Sequence, residues 1–513
     1  MDSRRIVGAL LGIGVLVGLL AMPSADAEAP ESSDSPTRVI ILVLDQASPD
    51  TIERYKMRNV QELMRNGVNF RNGMVGHMAA ETVISHGVVT SGQLPKNLGW
   101  SNEVYRDVDG ILGTAGAYYI TSSMSCSQFK ALIEAGGYKK LPDYLDDEFG
   151  ETSKFVSLAQ KRTAVCTAGN TSSAAGDGTG TDPEDIILQS RGSSATSCDG
   201  QSGWRSPEDA NNSAPAYFGL SEPCNRWWTW QAANAYGTGT ISPGRIYNLD
   251  GNRFVPGFDP AHLGGDIWST DAAITVIEND PDWRGMMVSL GGIDKLGHMW
   301  GPDDSVRGNP GSEQQMRHLP FIAQTADQQV GRLMDALREQ GLLDETLVVV
   351  TADHAAQTGK HFNGRLDTFT VGTNINACDP ATPTSPSALR SDCNWYYGQD
   401  ADEAYLDPSP AIRQLRDALT PPGGETNLRF SYQDAHIAAW LNDTSTARKQ
   451  EAAEAILDLP DVIASYRLSD NGDDYLLHGT NLPSTGPERS WFQQHGETLV
   501  DTMAAPYGPD VVA

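Results

Sequence analysis

The chain has 513 residues, with 37 basic against 66 acidic side chains and a formal charge of −29. That length admits one α/β domain carrying insertions. The charge argues against nonspecific binding to DNA or anionic lipid. It leaves small anionic substrates open, because a bound metal can reverse the field locally.

In chain order, residues 1–27 read as a signal peptide. Arg4 and Arg5 precede an apolar run over 6–22, and Ala25-Asp26-Ala27 forms an A-x-A cleavage site. Arg4-Arg5 after Ser3 is a weak, imperfect sign of twin-arginine export. The expectation is cleavage near Ala27, a mature chain from Glu28, and secretion. No later run is apolar for long enough to span a bilayer, so no membrane association is expected. Cys126, Cys166, Cys198, Cys224, Cys378 and Cys393 are even in number and form no C-x-x-C pair, which predicts disulfides over a thiolate metal site. Proximity alone suggests Cys378 with Cys393 and Cys198 with Cys224.

Residues 37–45 predict a first strand and 50–66 a helix ended by Gly67. A short helix follows Thr82 and is capped by Gly92. A helix is predicted over 132–149 and a strand over 154–158. From about 167 to 262 the chain turns rich in Gly, Ser, Asn and Trp without periodicity, which predicts an insertion. Then come a helix over 271–279, a strand over 285–290 leading to Asp294, and an amphipathic helix over 320–340 closed by Gly341. A strand over 346–350 leads to Asp353. A second insertion covers about 367–427, and helical patterns resume over 431–440 and 447–457. Alternating strands and helices predict an α/β fold, a three-layer sandwich with a mostly parallel central sheet.

Four motifs carry chemistry. Asp45 closes VIILVLDQ and Asp353-His354 closes VVVTADHAA. Aspartate is depleted inside strands, and the carboxyl end of a parallel sheet is where ligands sit. Asp45 could also merely cap the next segment. Asp294 and His298, spaced D-x-x-x-H, would stand one helical turn apart. Such carboxylates and imidazoles suit a divalent cation such as zinc. Thr82 opens ETVISHGVVTSG at a helix N-terminus, where backbone N–H groups bind phosphate. A threonine hydroxyl needs a base or metal to become a nucleophile. Trp227, Trp228 and Trp230 could stack on a base or pack as a core beside Cys224. GDGTGTDPED and SDNGDD are acidic turns that do not fit the EF-hand pattern.

The ordered set Asp, Thr, Asp-x-x-x-His, Asp-His and a distal His resembles the alkaline phosphatase superfamily, in particular its nucleotide pyrophosphatase/phosphodiesterase branch. That branch has T-F-P-N-H, then T-G, a proline and H-G. This chain reads T-V-I-S-H from Thr82 to His86, then T-S-G, Pro95 and N-L-G. The resemblance covers residues 37–361 and the C-terminal tail, and implies one alkaline-phosphatase-like catalytic domain over 28–513. It implies two zinc ions, one held by Asp45, Asp353 and His354 with the Thr82 oxygen, the other by Asp294, His298 and a distal histidine. His495 in QQHGE is chosen for that last place, with His361 and His478 as rivals. Asn102 matches an asparagine that contacts phosphate, one residue short in spacing. The family's F-P-N is V-I-S here, and Ala355 stands where glycine follows D-H.

The implied activity is a phosphodiesterase or nucleotide pyrophosphatase acting on a small phosphate ester through a phosphothreonine. The alternatives are a phosphomonoesterase, a phosphonate hydrolase, and a metal-binding scaffold without catalysis.

Overall fold

The apolar run after Thr37 forms a strand that is covered on both faces. In the computed structural model the described residues are 36–71, 73–121, 124–169, 185–190, 204–205, 217, 261–294, 312–355, 410–433, 436–460 and 462–513. The strands, in chain order, are β1 (Arg38–Leu44), β2 (Val104–Asp107), β3 (Ala117–Ile120), β4 (Lys154–Ala159), β5 (Ile186–Ser190), β6 (Trp204–Arg205), β7 (Trp283–Leu290), β8 (Thr346–Thr351), β9 (Leu428–Gln433), β10 (Ile437–Leu441), β11 (Ala464–Leu468), β12 (Tyr475–Thr480) and β13 (Val511–Val512).

Six of them form the central sheet in the order β6-β5-β4-β7-β1-β8. All neighbours are parallel except β6 on β5. Ile40, Leu42 and Leu44 of β1 point to one face, into a core with Trp268, Val276, Ile322 and Leu333. Ile41 and Val43 point to the other, against Leu145, Phe155 and Met287. Burial on both faces is why the strand reads as continuous apolar sequence. Each such side chain contributes roughly 1.5–3 kcal/mol by leaving water. The helices Ala261–Asn279 and Ser312–Glu339 cover the first face; Leu141–Phe149 and Arg162–Gly169 cover the second. The predicted three-layer α/β sandwich is the fold.

A second, five-stranded antiparallel sheet, β12-β11-β13-β10-β9, was not anticipated. It corrects the helix expected over 431–440. Ile437–Leu441 is buried at every position, and a short apolar run of this kind does not distinguish a strand from a buried helix. Pairing with β9 and β13 decides it. Among the described residues, no helix is long and apolar enough to cross a membrane.

Two other expectations are corrected. The helix over 50–66 is two helices, Pro49–Arg54 and Arg58–Asn66, parted where Lys56 takes a left-handed φ of 55°. Asp327 caps the second by accepting from Asn59 N at 3.2 Å and Val60 N at 3.0 Å, a cap supplied by a distant helix and invisible locally. The helix over 132–149 is likewise two, Cys126–Gly136 and Leu141–Phe149. Gly137, in the left-handed region at φ 60°, ends the first, and Ser125 with Gln128 forms its capping box. β5, a strand of the central sheet, lies within the stretch read as an insertion over 167–262. Cys126 and Cys166 form a disulfide that ties the helix Arg162–Gly169 to its neighbour. Cys198, Cys224, Cys378 and Cys393, and residues 367–409 of the second insertion, lie outside the described residues.

Candidate active site

The sheet order places four loop ends side by side. β4, β7, β1 and β8 are consecutive and parallel, and their carboxyl ends lead to Lys161, Asp294, Asp45 and Asp353. Leu44 pairs with Leu290, and Val43 with Thr351, so three aspartates far apart in sequence reach one level. Asp45 N donates to Leu290 O at 3.1 Å. Gln46 then turns with φ 69° and donates its N–H to Asp353 Oδ1 at 3.1 Å.

One ligand atom each from Asp45, Asp353 and His354 lie within 4.8 Å of one another. His354 Nε2 is 3.4 Å from Asp45 Oδ1 and 3.5 Å from Asp353 Oδ2. Asp45 is fully buried, and among the described residues Asp353 Oδ2 accepts no hydrogen bond. Lys161 Nζ approaches Asp45 Oδ2 at 2.6 Å and Asp294 Oδ2 at 2.7 Å. Three buried carboxylates thus face one ammonium among the described residues. With His354 deprotonated, as a metal ligand must be, the excess negative charge is that of a divalent cation's counter-charge. Oxygen and imidazole donors suit zinc, so the donor set fits a metal.

The local field is strong. Burial, followed by Asp294 and Asp353, pushes the Asp45 carboxyl up. Burial also opposes the charge of Asp353, but His354, His86 and Lys161 outweigh it and hold the carboxyl low. For His354, burial is outweighed by Asp353 and Asp45, which push the imidazole up to about 10. Lys161 is raised in the same way, with Asp294 and Asp45 overcoming desolvation.

Thr82 is the first residue of the helix Thr82–Ser91, which Gly92 ends in the left-handed conformation. Its Oγ1 is 2.8 Å from Lys161 Nζ and 3.4 Å from His354 Nε2. His86, one turn on, is fully buried; its Nδ1 bonds Thr82 O at 2.8 Å and its Nε2 pairs with Ser289 Oγ of β7 at 3.0 Å. That fastens the helix N-terminus over the sheet's carboxyl edge. His77, buried and pushed down to about 4 by desolvation, sits 3.3 Å from Ser85 Oγ.

The structure therefore gathers Asp45, Thr82, Asp294, Asp353 and His354. His298 and the rival His361 lie outside the described residues. His495 is on the helix Pro487–Asp501, its ring 5.2 Å from Trp491, and is not in the group around Asp45. His478 pairs with Glu454 on the surface. Asn102 is fully buried; its Oδ1 accepts from Val104 N at 3.2 Å and its Nδ2 meets His436 Nε2 at 2.7 Å. Lys161 was missed by the sequence reading, although it follows the end of a buried strand, the signal that picked out Asp45.

His436 gives a pH test. Burial pushes its pKa from the ordinary 6.5 down to about 4. The unfolded chain takes up the proton near 6.5 and the folded chain only near 4, so stability is lost as pH falls across that window. The expected loss by pH 4 is about 3 kcal/mol. Urea unfolding at pH 7 and pH 4 would measure it; an equal loss in His436→Gln would refute it.

The model of the type I phosphodiesterase / nucleotide pyrophosphatase family matches residues 39–124 and 229–466. A crystal structure of wild-type alkaline phosphatase PafA has a TM-score of 0.52 at 14% identity, covering 93% of this chain and 84% of that one. A quadruple mutant of PafA gives 0.52 at 13% identity with the same coverage. An inactive murine ectonucleotide pyrophosphatase/phosphodiesterase 5 in complex with AMP has a TM-score of 0.36 at 13% identity, covering 64% of this chain and 59% of that one. The PafA likeness speaks for the fold alone. No curated protein matches the chain.

Proposed function

The chain belongs to the type I phosphodiesterase / nucleotide pyrophosphatase family, metal-dependent hydrolases of phosphoric esters, and from that premise we propose that it cleaves a small phosphodiester or nucleotide pyrophosphate through a phosphothreonine at Thr82. The observation that carries the reading is the position of Thr82 Oγ1, at a helix N-terminus and 3.4 Å from His354 Nε2 of the Asp45–Asp353–His354 group.

Asp45, Asp353 and His354 would hold one zinc ion, with Asp294, His298 and His495 proposed for a second; the choice of His495 rests on sequence order. A metal bound there would lower the pKa of a hydroxyl and offset charge on the transferring phosphoryl group. Thr82 Oγ attacks phosphorus in line, its proton passing to solvent water, and the bond to the leaving oxygen breaks, that oxygen keeping the electron pair and taking up a proton from water. Water then attacks the phosphothreonine, the Oγ–P bond breaks, and the hydroxyl regains a proton. The backbone N–H groups at the head of the Thr82 helix favour phosphate oxygens. Lys161, 2.8 Å from Oγ1, holds the hydroxyl and adds positive charge where phosphate would sit. We further propose one catalytic domain over 28–513 and export after cleavage near Ala27. The Cys126–Cys166 disulfide supports an oxidising compartment.

Lys161 also favours a second reading, a phosphomonoesterase. A monoester brings one more non-bridging oxygen charge than a diester, and an ammonium beside the nucleophile compensates it. Rates on bis-nitrophenyl phosphate and nitrophenyl phosphate, measured in parallel with zinc, separate the two. Faster diester cleavage is the expected result. Faster monoester cleavage would leave the site in place and transfer the protein to the second reading. Hydrolysis of neither would count against both.

A further inference from the structure

Lys161 and Asp294 stand on different loops, and one buried carboxylate outside the site joins those loops. Asp266, on the helix Ala261–Asn279, is fully buried. Its Oδ1 accepts from Gln160 Nε2 at 3.2 Å and from Gly292 N at 2.9 Å. Gln160 immediately precedes Lys161 at the end of β4, and Gly292 lies two residues before Asp294 past the end of β7. The two loops meet on a single oxygen.

The surrounding glycines fit around this contact. A Cβ on Gly265 would fall 1.8 Å from the Gln160 carboxamide. A Cβ on Gly292 would fall 2.5 Å from Asp266 Oδ2 and 2.5 Å from Ile322 Cδ1. Only glycine admits so close an approach at either place. The helix thus carries its carboxylate into the crevice between the two loops, and any side chain at 265 or 292 would push it out.

We propose that Asp266 is a positioning residue: it sets the separation of Lys161 from Asp294, and with it the cation-and-carboxylate frame beside Thr82. The proposal rests on the reading that Lys161 and Asp294 belong to the reaction centre. Asp266 acts through Gln160 and the Gly292 backbone. A carboxylate with this role in the second layer of a metal site typically matters about 10- to 100-fold in activity or metal affinity.

Asp266→Ala removes the shared acceptor, Asp266→Asn keeps an oxygen that both donors can reach, and Gln160→Leu cuts the Lys161 arm alone. Kinetics on bis-nitrophenyl phosphate, expressed per folded chain, would be paired with zinc binding in a chelator-buffered series. Expected for Asp266→Ala is a fall of about 10- to 100-fold in kcat with KM little changed, together with weaker zinc binding. Asp266→Asn should recover most of both losses. A role in folding alone would lower the urea midpoint and leave kcat and zinc affinity per folded chain at wild-type values, and that result would overturn the proposal. Should Asp266→Ala not fold, Gln160→Leu decides: reduced kcat with cooperative unfolding supports the proposal, and wild-type kcat rejects it. Asp294→Ala runs alongside. If that variant is fully active, the reading of the site has failed, independently of Asp266.

Discussion

Thr82→Ala is expected to lower kcat by on the order of 10⁴-fold, the scale seen when a nucleophile is removed from a catalytic unit. Zinc content should stay at the wild-type level. The threonine contributes one neutral oxygen beside His354, whereas Asp45, Asp353 and His354 form a group without it. Folding should also be little affected. Glu81, not Thr82, is the N-cap of the helix, and neither side chain makes a cap hydrogen bond there. Thr82→Ser restores a hydroxyl at the same place and should regain part of the rate. Metal analysis and steady-state kinetics on the same preparations make the test. A Thr82→Ala protein with near-normal kcat would remove the residue from the chemistry. Loss of zinc along with activity would recast it as a structural ligand.

Chelation is the second large effect. Dialysis against EDTA is expected to reduce hydrolysis about 10³-fold or more, the equivalent of several kcal/mol of transition-state charge stabilisation. Added zinc should restore it. Far-UV circular dichroism should hardly change. Lys161 lies 2.6 Å from Asp45 and 2.7 Å from Asp294, so both carboxylates keep a cationic partner after the metal is stripped. Asp353 keeps its bonds from Gln46 N and His354 N. A buried charge stripped of every partner would be costly, and this arrangement avoids that. Retained activity at exhaustive zinc depletion would defeat the metal-assisted reading. Unfolding on chelation would mean that the ion, and not Lys161, holds the carboxylates.

Much of the site was legible because its residues sit at the ends of strongly apolar strands. β1, β7 and β8 were each read to within one or two residues, and their C-terminal continuations supplied Asp45, Asp294, Asp353 and His354. Thr82 and its helix were readable from the apolar run and from Gly92, whose left-handed backbone suits glycine. The breaks at Lys56 and Gly137 were harder. A helical pattern continues across both, and the cap that starts the helix after the first comes from Asp327, far along the sequence.

The sequence alone determined the α/β class, the parallel character of the core strands, and which acidic and imidazole side chains stand at strand ends. Strand periodicity and residue type are local properties, so a single chain records them. Only the tertiary structure decided who stands beside whom. The order β4-β7-β1-β8 brings Lys161 to Asp45, Asp294 and Thr82. The pairing of β9, β10 and β13 makes a strand of a segment that reads locally as helix. Burial turns Asn102 toward His436 and Asp266 toward Gln160 and Gly292. Each depends on contacts between residues distant in sequence, where buried polar groups must find partners and where local preference gives way to packing.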